Sequence, residues 1–151
     1  MMDSTPLKTK IMYIGERKSA PIYISCPSDS YLALKRFYHK RQEHFLIFTL
    51  NGSHGVIALR IISIGLVNRT IVHPREIFIH AIKDNAVAII LAHNHPSGNT
   101  DPSPEDKEIT NRLIKAADIL GIRILDHIIF CKTGFYSFKE HGAISLDLAK
   151  N

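Results

Sequence analysis

Strongly apolar strands alternate along this chain with helices that have recognisable ends. The predicted strands cover residues 43–50, 56–64, 86–91, 122–130 and 135–138. The predicted helices run from Ser28 or Asp29 to about Gln42, from Pro74 to Asn85, and from Ser103 to Gly121, with Ile109, Leu113, Ala116, Ala117 and Leu120 as the buried stripe of the last one. Strands this apolar are typical of a sheet that is covered on both faces. The alternation predicts an α/β fold.

Length and composition fit a single globular domain. The chain has 151 residues, of which 45% are hydrophobic and 22% charged. No apolar run approaches the roughly 18 residues that cross a bilayer, and the first residues lack the order of a secretory signal. The two cysteines, Cys26 and Cys131, imply no disulfide framework, so we expect them to pack as small apolar residues in a reducing cytoplasm.

The densest basic run lies at residues 35–41, in a chain of net charge +5. On a helix, Lys35 and Arg36 share a face with His39 and Lys40, so the run could form a basic stripe that contacts nucleic acid. The favoured interpretation is a solvated face from which Phe37 and Tyr38 turn inward.

Two histidines and an aspartate supply a set of metal ligands around one turn-rich segment. His93 and His95 follow the apolar run at 86–91, and alternating strand geometry directs both rings to the same side. Asp106 follows eleven positions after His95, in the first turn of the next helix. Two imidazoles and one carboxylate suit Zn²⁺, and three protein ligands leave the open coordination position of a catalytic site. Metal-assisted hydrolysis is therefore the first hypothesis.

Asp106 also has an interpretation that needs no metal. Ser103-x-x-Asp106 is a capping box, in which the carboxylate reaches back to the backbone N–H of the cap residue. The sequence leaves both interpretations open.

These residues carry a specific resemblance. The order His-x-His, seven residues, then Ser-x-x-Asp resembles the JAMM (MPN+) metalloprotease motif, and His93, His95, Ser103 and Asp106 satisfy it. Residues 72–78, 89–98, 125–129 and 134–138 are similar to its RadC-like branch. The resemblance covers about residues 28–144 and implies a single-domain, cytidine-deaminase-like α/β sandwich with a mixed β-sheet flanked by helices. We expect a domain at 28–146, an N-terminal arm at 1–27 and a tail at 147–151.

The resemblance also implies roles for individual residues. His93, His95 and Asp106 would bind zinc, and Ser103 would stabilise an oxyanion. The upstream glutamate that the family requires would be Glu43, acting as the base that water activation needs. Glu76 is the competitor, although a carboxylate in the first turn of a helix already has an electrostatic reason to be there. The implied activity is cleavage of an amide or isopeptide bond in a peptide or protein.

Two alternatives to a peptidase remain. One is a DNA-repair-associated protein that binds nucleic acid, which the absence of room for the helix-hairpin-helix region of longer RadC-like proteins disfavours. The other is a non-catalytic MPN scaffold, which a complete ligand set disfavours. For His127, beside Asp126, a structural role at a strand end is favoured over a contact with the site, and Ser97 is interpreted as a turn residue.

Overall fold

In the part of the chain that the structure describes, six strands form one mixed sheet that is flanked by helices, which confirms the predicted α/β class. The computed structural model describes residues 11–12, 20–65 and 72–144. The strands are β1 (Ile11–Met12), β2 (His44–Leu50), β3 (Val56–Ile64), β4 (Ala88–Asn94), β5 (Arg123–Cys131) and β6 (Gly134–Ser137). The helices are α1 (Pro27–Ala33), a 3₁₀ helix (Lys35–Phe37), α2 (Pro74–Lys83) and α3 (Pro104–Leu120).

The pairing of the strands places the start of one strand beside the end of its neighbour. The order across the sheet is β1-β3-β2-β4-β5-β6, and β4 pairs with β5 in parallel while the other neighbours are antiparallel. Phe45 at the start of β2 pairs with His93 at the end of β4, and His93 pairs with Ile129 of β5. The beginning of β2 therefore lies beside the end of β4.

The sheet separates two apolar layers, as the apolar strands predict. Every residue of β2 and β4 is buried. One layer lies beneath α2 and α3 and includes Ile47, Leu91, Ile77, Leu113 and Phe138. The other lies beneath α1 and the 3₁₀ helix and includes Leu34, Phe37, Phe48, Ala92 and Phe130. Alternate residues of β4 thus face opposite layers.

The helix predicted over residues 28–42 is shorter than expected. Pro27 occupies the first turn of α1, so Cys26 and not Ser28 or Asp29 is the N-cap, and Asp29 accepts a hydrogen bond from the Cys26 N–H. Leu34 leaves the helical region at φ −92° and ψ 5°, and Phe37 N–H then donates to the Leu34 carbonyl, as in a 3₁₀ helix. This tighter turn buries both Leu34 and Phe37.

Two consequences of this short helix correct the sequence analysis. The basic residues 35–41 do not share a continuous helix face, because only Lys35 and Arg36 are in the 3₁₀ helix. Cys26 is exposed at the helix start and is not a packing residue, whereas Cys131 is buried as expected.

The remaining elements lie close to their predicted positions. β3 has the predicted bounds, and α3 ends as predicted at Gly121, whose φ of +70° favours glycine. The buried stripe of α3 is shifted toward its start: Asp106 and Thr110 are buried, while Leu120 is 47% exposed.

The N-terminal segment contributes one short strand where it is described. Ile11 pairs with Arg60 and Met12 with Leu59 of β3, and an isolated bridge joins Tyr23 to Gly55. The predicted tail at 147–151 lies outside the described residues, so the domain bounds stay predictions. Within the described ranges, no helix combines the length and the apolarity that crossing a bilayer requires.

Candidate metal centre

The end of β4 brings the side chains of two histidines together, and it also holds the segment that contains Glu43. His93 and His95 are buried and direct their Nε2 atoms toward each other, 3.0 Å apart. Asn94 faces the opposite layer, where its Oδ1 accepts from the His44 N–H at 2.6 Å and its Nδ2 donates to the Gln42 carbonyl at 3.0 Å. These two bonds fix the chain on both sides of Glu43. The alternation predicted for residues 93–95 is confirmed.

Asp106 closes the cluster from α3. Its Oδ1 lies 3.2 Å from His93 Nε2, and its Oδ2 lies 3.3 Å from His95 Nε2. The same carboxylate completes the capping box, since Ser103 N–H donates to Oδ2 at 2.8 Å and Asp106 N–H donates to Ser103 Oγ at 3.1 Å. The two interpretations of Asp106 therefore do not exclude each other: the cap holds the carboxylate where it faces both rings.

The spacing of the three ligand groups fits a tetrahedral metal ion. Zinc with ligands at 2.0–2.1 Å has neighbouring ligand atoms about 3.3 Å apart. The two Nε2 atoms here are 3.0 Å apart, with Asp106 Oδ1 3.2 Å from His93 Nε2 and Oδ2 3.3 Å from His95 Nε2. His93, His95 and Asp106 are all buried, and they form a group that could hold a metal ion.

The hydrogen bonds behind the histidines strengthen this fit. His95 Nδ1 lies 2.6 Å from the Asn99 carbonyl, which can only accept, so Nδ1 carries the proton. In the neutral ring, His95 Nε2 is then an acceptor that faces a carboxylate and a second imidazole. Acceptors that converge in a buried site repel one another unless a cation lies between them.

The electrostatic environment sets the protonation of these ligands. Burial favours the protonated acid, but the contacts with the His93 and His95 rings outweigh it and hold the pKa of Asp106 well below its ordinary value. Burial lowers the pKa of His93 despite the attraction of Asp106. Burial opposes charge on His95 as well, yet the Asp106 and Asn99 contacts raise the pKa of His95. An ionised Asp106 and a neutral His93 are the states that bind metals.

Glu43 lies on the solvent side of the cluster. Its Oε1 is 4.0 Å from His95 Nε2, and its side chain is 19% exposed. It borders an open cavity of about 280 Å³, which is lined by Glu43, His95, Pro96, Ser97, Asn99 and Asp101. The competitor, Glu76, is exposed in the first turn of α2. The structure thus brings Glu43, and not Glu76, to the predicted ligands.

A second, larger groove also borders His95. It has a volume of about 430 Å³ and shares His95 and Pro96 with the first cavity. Basic side chains from Lys40, Arg41 and Lys132 line it. Ser97 takes part in a turn, as predicted, because its Oγ accepts from the Asn99 N–H at 3.3 Å.

His127 and Thr110 are buried partners of the cluster that the sequence analysis did not place correctly. His127 lies in the middle of β5 and not at a strand end, and its Nε2 is 2.8 Å from His93 Nδ1. Thr110 Oγ1 is 2.6 Å from His127 Nδ1. A signal existed for Thr110, since it follows Asp106 by four residues and thus shares its helix face. Asp126 faces the other layer, where it accepts from Ser137 Oγ, and burial raises its pKa.

Comparisons with known proteins agree with this site. A family model described as the RadC-like JAB domain matches residues 24–143. Among curated relatives, a UPF0758 protein of Alkaliphilus metalliredigens is 51% identical over 118 residues, which are 78% of this chain and 51% of that protein. UPF0758 proteins of Methanospirillum hungatei and Picosynechococcus are 53% and 43% identical over 68% and 85% of this chain, and 46% and 53% of theirs.

The extent of these matches defines what they show. The chain spans about half the length of the curated relatives it matches, and the names of these relatives state no activity. The family match, by contrast, covers most of this chain and every residue of the candidate centre. Together with the His–His–Asp cluster, it fits a metal-dependent hydrolase. The chain belongs to the RadC-like JAB domain family.

Proposed function

We propose that this protein is a zinc-dependent hydrolase that cleaves an amide or isopeptide bond in a peptide or protein. The observation that carries the proposal is the convergence of three buried ligand groups within 3.0–3.3 Å of one another, with a carboxylate on their solvent side. We place the protein in the cytoplasm, following its cysteine content.

His93, His95 and Asp106 would hold the ion through Nε2, Nε2 and the carboxylate. When bound, zinc supplies an electrophile that lowers the pKa of a water molecule and polarises a carbonyl group. The chain contributes the orientation of the ligands: Asn99 fixes the His95 ring, and the capping box fixes Asp106.

Glu43 and Ser103 would handle the proton and the charge of the reaction. The Glu43 carboxylate takes a proton from the attacking water and passes it to the nitrogen of the leaving amine as the carbon–nitrogen bond breaks. The Ser103 hydroxyl, at the cap beside Asp106, would donate a hydrogen bond to the carbonyl oxygen as it becomes negative. The position of Glu43 next to an open cavity gives the substrate a route to it.

The experiment is a profile of amide-bond cleavage over a peptide library, with and without a chelator. We expect cleavage that the chelator abolishes and zinc restores. Glu43→Gln should reduce the rate by about 10²–10⁴-fold, the usual contribution of a general base, while zinc stays bound. Glu76→Gln is the matched control and should leave the rate unchanged. Cleavage that survives in Glu43→Gln would contradict the role of Glu43.

A second candidate function is nucleic-acid binding, as in a DNA-repair-associated protein. The basic lining of the larger groove, from Lys40, Arg41 and Lys132, favours it. Binding of this kind weakens steeply with salt, because each neutralised phosphate releases a counterion. A salt-dependent affinity for duplex DNA that falls in Lys40→Glu would support this candidate. A zinc-loaded protein that cleaves no peptide and binds no DNA would instead indicate a scaffold.

A further inference from the structure

Thr110 and His127 form a buried hydrogen-bonded path between two of the candidate metal ligands. Both side chains are inaccessible to solvent, with 1% and 0% exposure. The proposed hydrolysis uses neither of them. The path runs from the backbone of Asp106 through Thr110 and His127 to the ring of His93.

The donor and acceptor of each hydrogen bond in this path follow from the first bond, between Thr110 and the Asp106 carbonyl. Thr110 Oγ1 donates to the Asp106 carbonyl at 2.7 Å, because a carbonyl only accepts. The hydroxyl has one proton, so at 2.6 Å it must accept from His127 Nδ1. A neutral His127 with its proton on Nδ1 has an acceptor at Nε2. His93 Nδ1 therefore donates to it across 2.8 Å.

The surroundings of His127 favour the neutral ring. Phe138 stacks on it at a centroid distance of 4.8 Å, and Phe45 meets it edge-on at 5.7 Å. Phenyl rings offer no hydrogen-bond acceptor to a charged imidazolium, so its burial between them is unfavourable. With the proton of His93 on Nδ1, its Nε2 presents a lone pair to His95 and Asp106. That is the tautomer in which Nε2 can bind a metal ion.

We propose that Thr110 and His127 are positioning residues that hold His93 in the metal-binding tautomer and thereby raise the affinity of the site for zinc. This inference rests on the proposed metal site. The path starts at the backbone of one ligand and ends at the ring of another, so it couples the start of α3 to the end of β4. His95 is oriented separately, by the Asn99 carbonyl.

The test compares Thr110→Val with Thr110→Ser in zinc titrations against a chromophoric chelator. Valine keeps the shape of threonine and removes the hydroxyl, whereas serine keeps the hydroxyl. Thr110→Val should weaken zinc binding by about 10–100-fold, as is usual for partners behind metal ligands, and Thr110→Ser should bind as the wild type does. The variant His127→Leu should be as weak as Thr110→Val, and combining the two should add little further loss.

A direct readout of the tautomer does not depend on any variant. Nitrogen–proton NMR of the histidine rings in the metal-free protein should show His93 protonated on Nδ1 and not on Nε2. A proton on Nε2 alone would overturn the inference, as would zinc affinity in Thr110→Val equal to that of the wild type. Failure of the wild type to bind zinc would instead refute the proposed function, and this inference with it.

Discussion

At the scale of single residues, Asp106 serves both as a helix cap and as a candidate metal ligand. Its carboxylate accepts from the Ser103 N–H and also faces the rings of His93 and His95. A neutral amide keeps an oxygen that can accept from the cap N–H but loses the negative charge that a cation needs. These two roles can therefore be separated by one substitution.

For Asp106→Asn we expect a loss of zinc affinity on the order of 100-fold or more, since a charged ligand is removed. The metal-free protein should lose no more than about 1 kcal/mol of stability, because the cap is preserved. Zinc titration and urea unfolding without metal measure the two effects. Ser103→Ala is the matched control for the cap and should lose about 1 kcal/mol. Unchanged zinc affinity in Asp106→Asn would contradict the ligand role.

The sequence predicted the parts of this site that lie close together along the chain. His93 and His95 are two residues apart at the end of β4, and the capping box placed Asp106 at the start of α3. The local geometry of the chain therefore determines where these side chains lie. His127 contacts His93 across 34 residues, and this contact depends on the parallel pairing of β4 with β5. Hydrophobic patterns predicted both strands but not their neighbours in the sheet. For that reason a strand-end position was predicted for His127, which lies instead in the middle of β5.

At the scale of elements, a buried ion pair joins the end of α2 to the sheet. Asp84, the C-cap of α2, pairs with Arg60 of β3, and their side chains are 9% and 5% exposed. Thr49 Oγ1 of β2 donates to the same carboxylate at 2.8 Å. Burial favours the protonated acid, but the bonds from Arg60 and Thr49 outweigh it and lower the pKa of Asp84. The pair therefore favours the folded state when Asp84 is ionised.

We expect Asp84→Asn to destabilise the metal-free protein by about 3 kcal/mol at neutral pH, because it removes the carboxylate charge from a buried ion pair. A lowered pKa means that this contribution is complete above the unfolded pKa of 3.8 and is lost as the pH falls through the lower folded value. Urea unfolding from neutral pH down to a pH of about 3 should show the stability difference between the wild type and Asp84→Asn shrinking as the pH falls.

The matched control is a double variant that replaces both partners by apolar residues, Arg60→Met with Asp84→Leu. It should be less destabilised than Asp84→Asn alone, because no unpaired charge stays buried. A difference between wild type and Asp84→Asn that grows as the pH falls would contradict the assignment.

The same scale shows why one helix was predicted incorrectly. Residues 28–42 carry no proline or glycine, and their large apolar residues recur at nearly helical spacing, so local propensity favours one continuous helix. The structure instead tightens the chain at Leu34, which buries Leu34 and Phe37 against the sheet. Tertiary packing overrode propensity there, whereas β3 has its predicted bounds because its local strand preference and the fold agree.

At the scale of the whole molecule, a metal that binds only the folded state must stabilise it. A free zinc concentration of 100 times the dissociation constant should add about 2.7 kcal/mol to the free energy of unfolding. For a chain of this size, that corresponds to a rise in Tm of about 5–10 °C. Differential scanning fluorimetry with zinc and with chelator measures the shift. His95→Ala should show almost no zinc-induced rise in Tm. A rise equal to that of the wild type would mean that zinc binds at another site.

The proposed function requires one zinc ion held by His93, His95 and Asp106. Elemental analysis of purified protein after dialysis against trace zinc measures this. We expect about one zinc per chain in the wild type and in Glu43→Gln, and almost none in His95→Ala or Asp106→Ala. Stoichiometric zinc in the last two variants, or none in the wild type, would contradict the account.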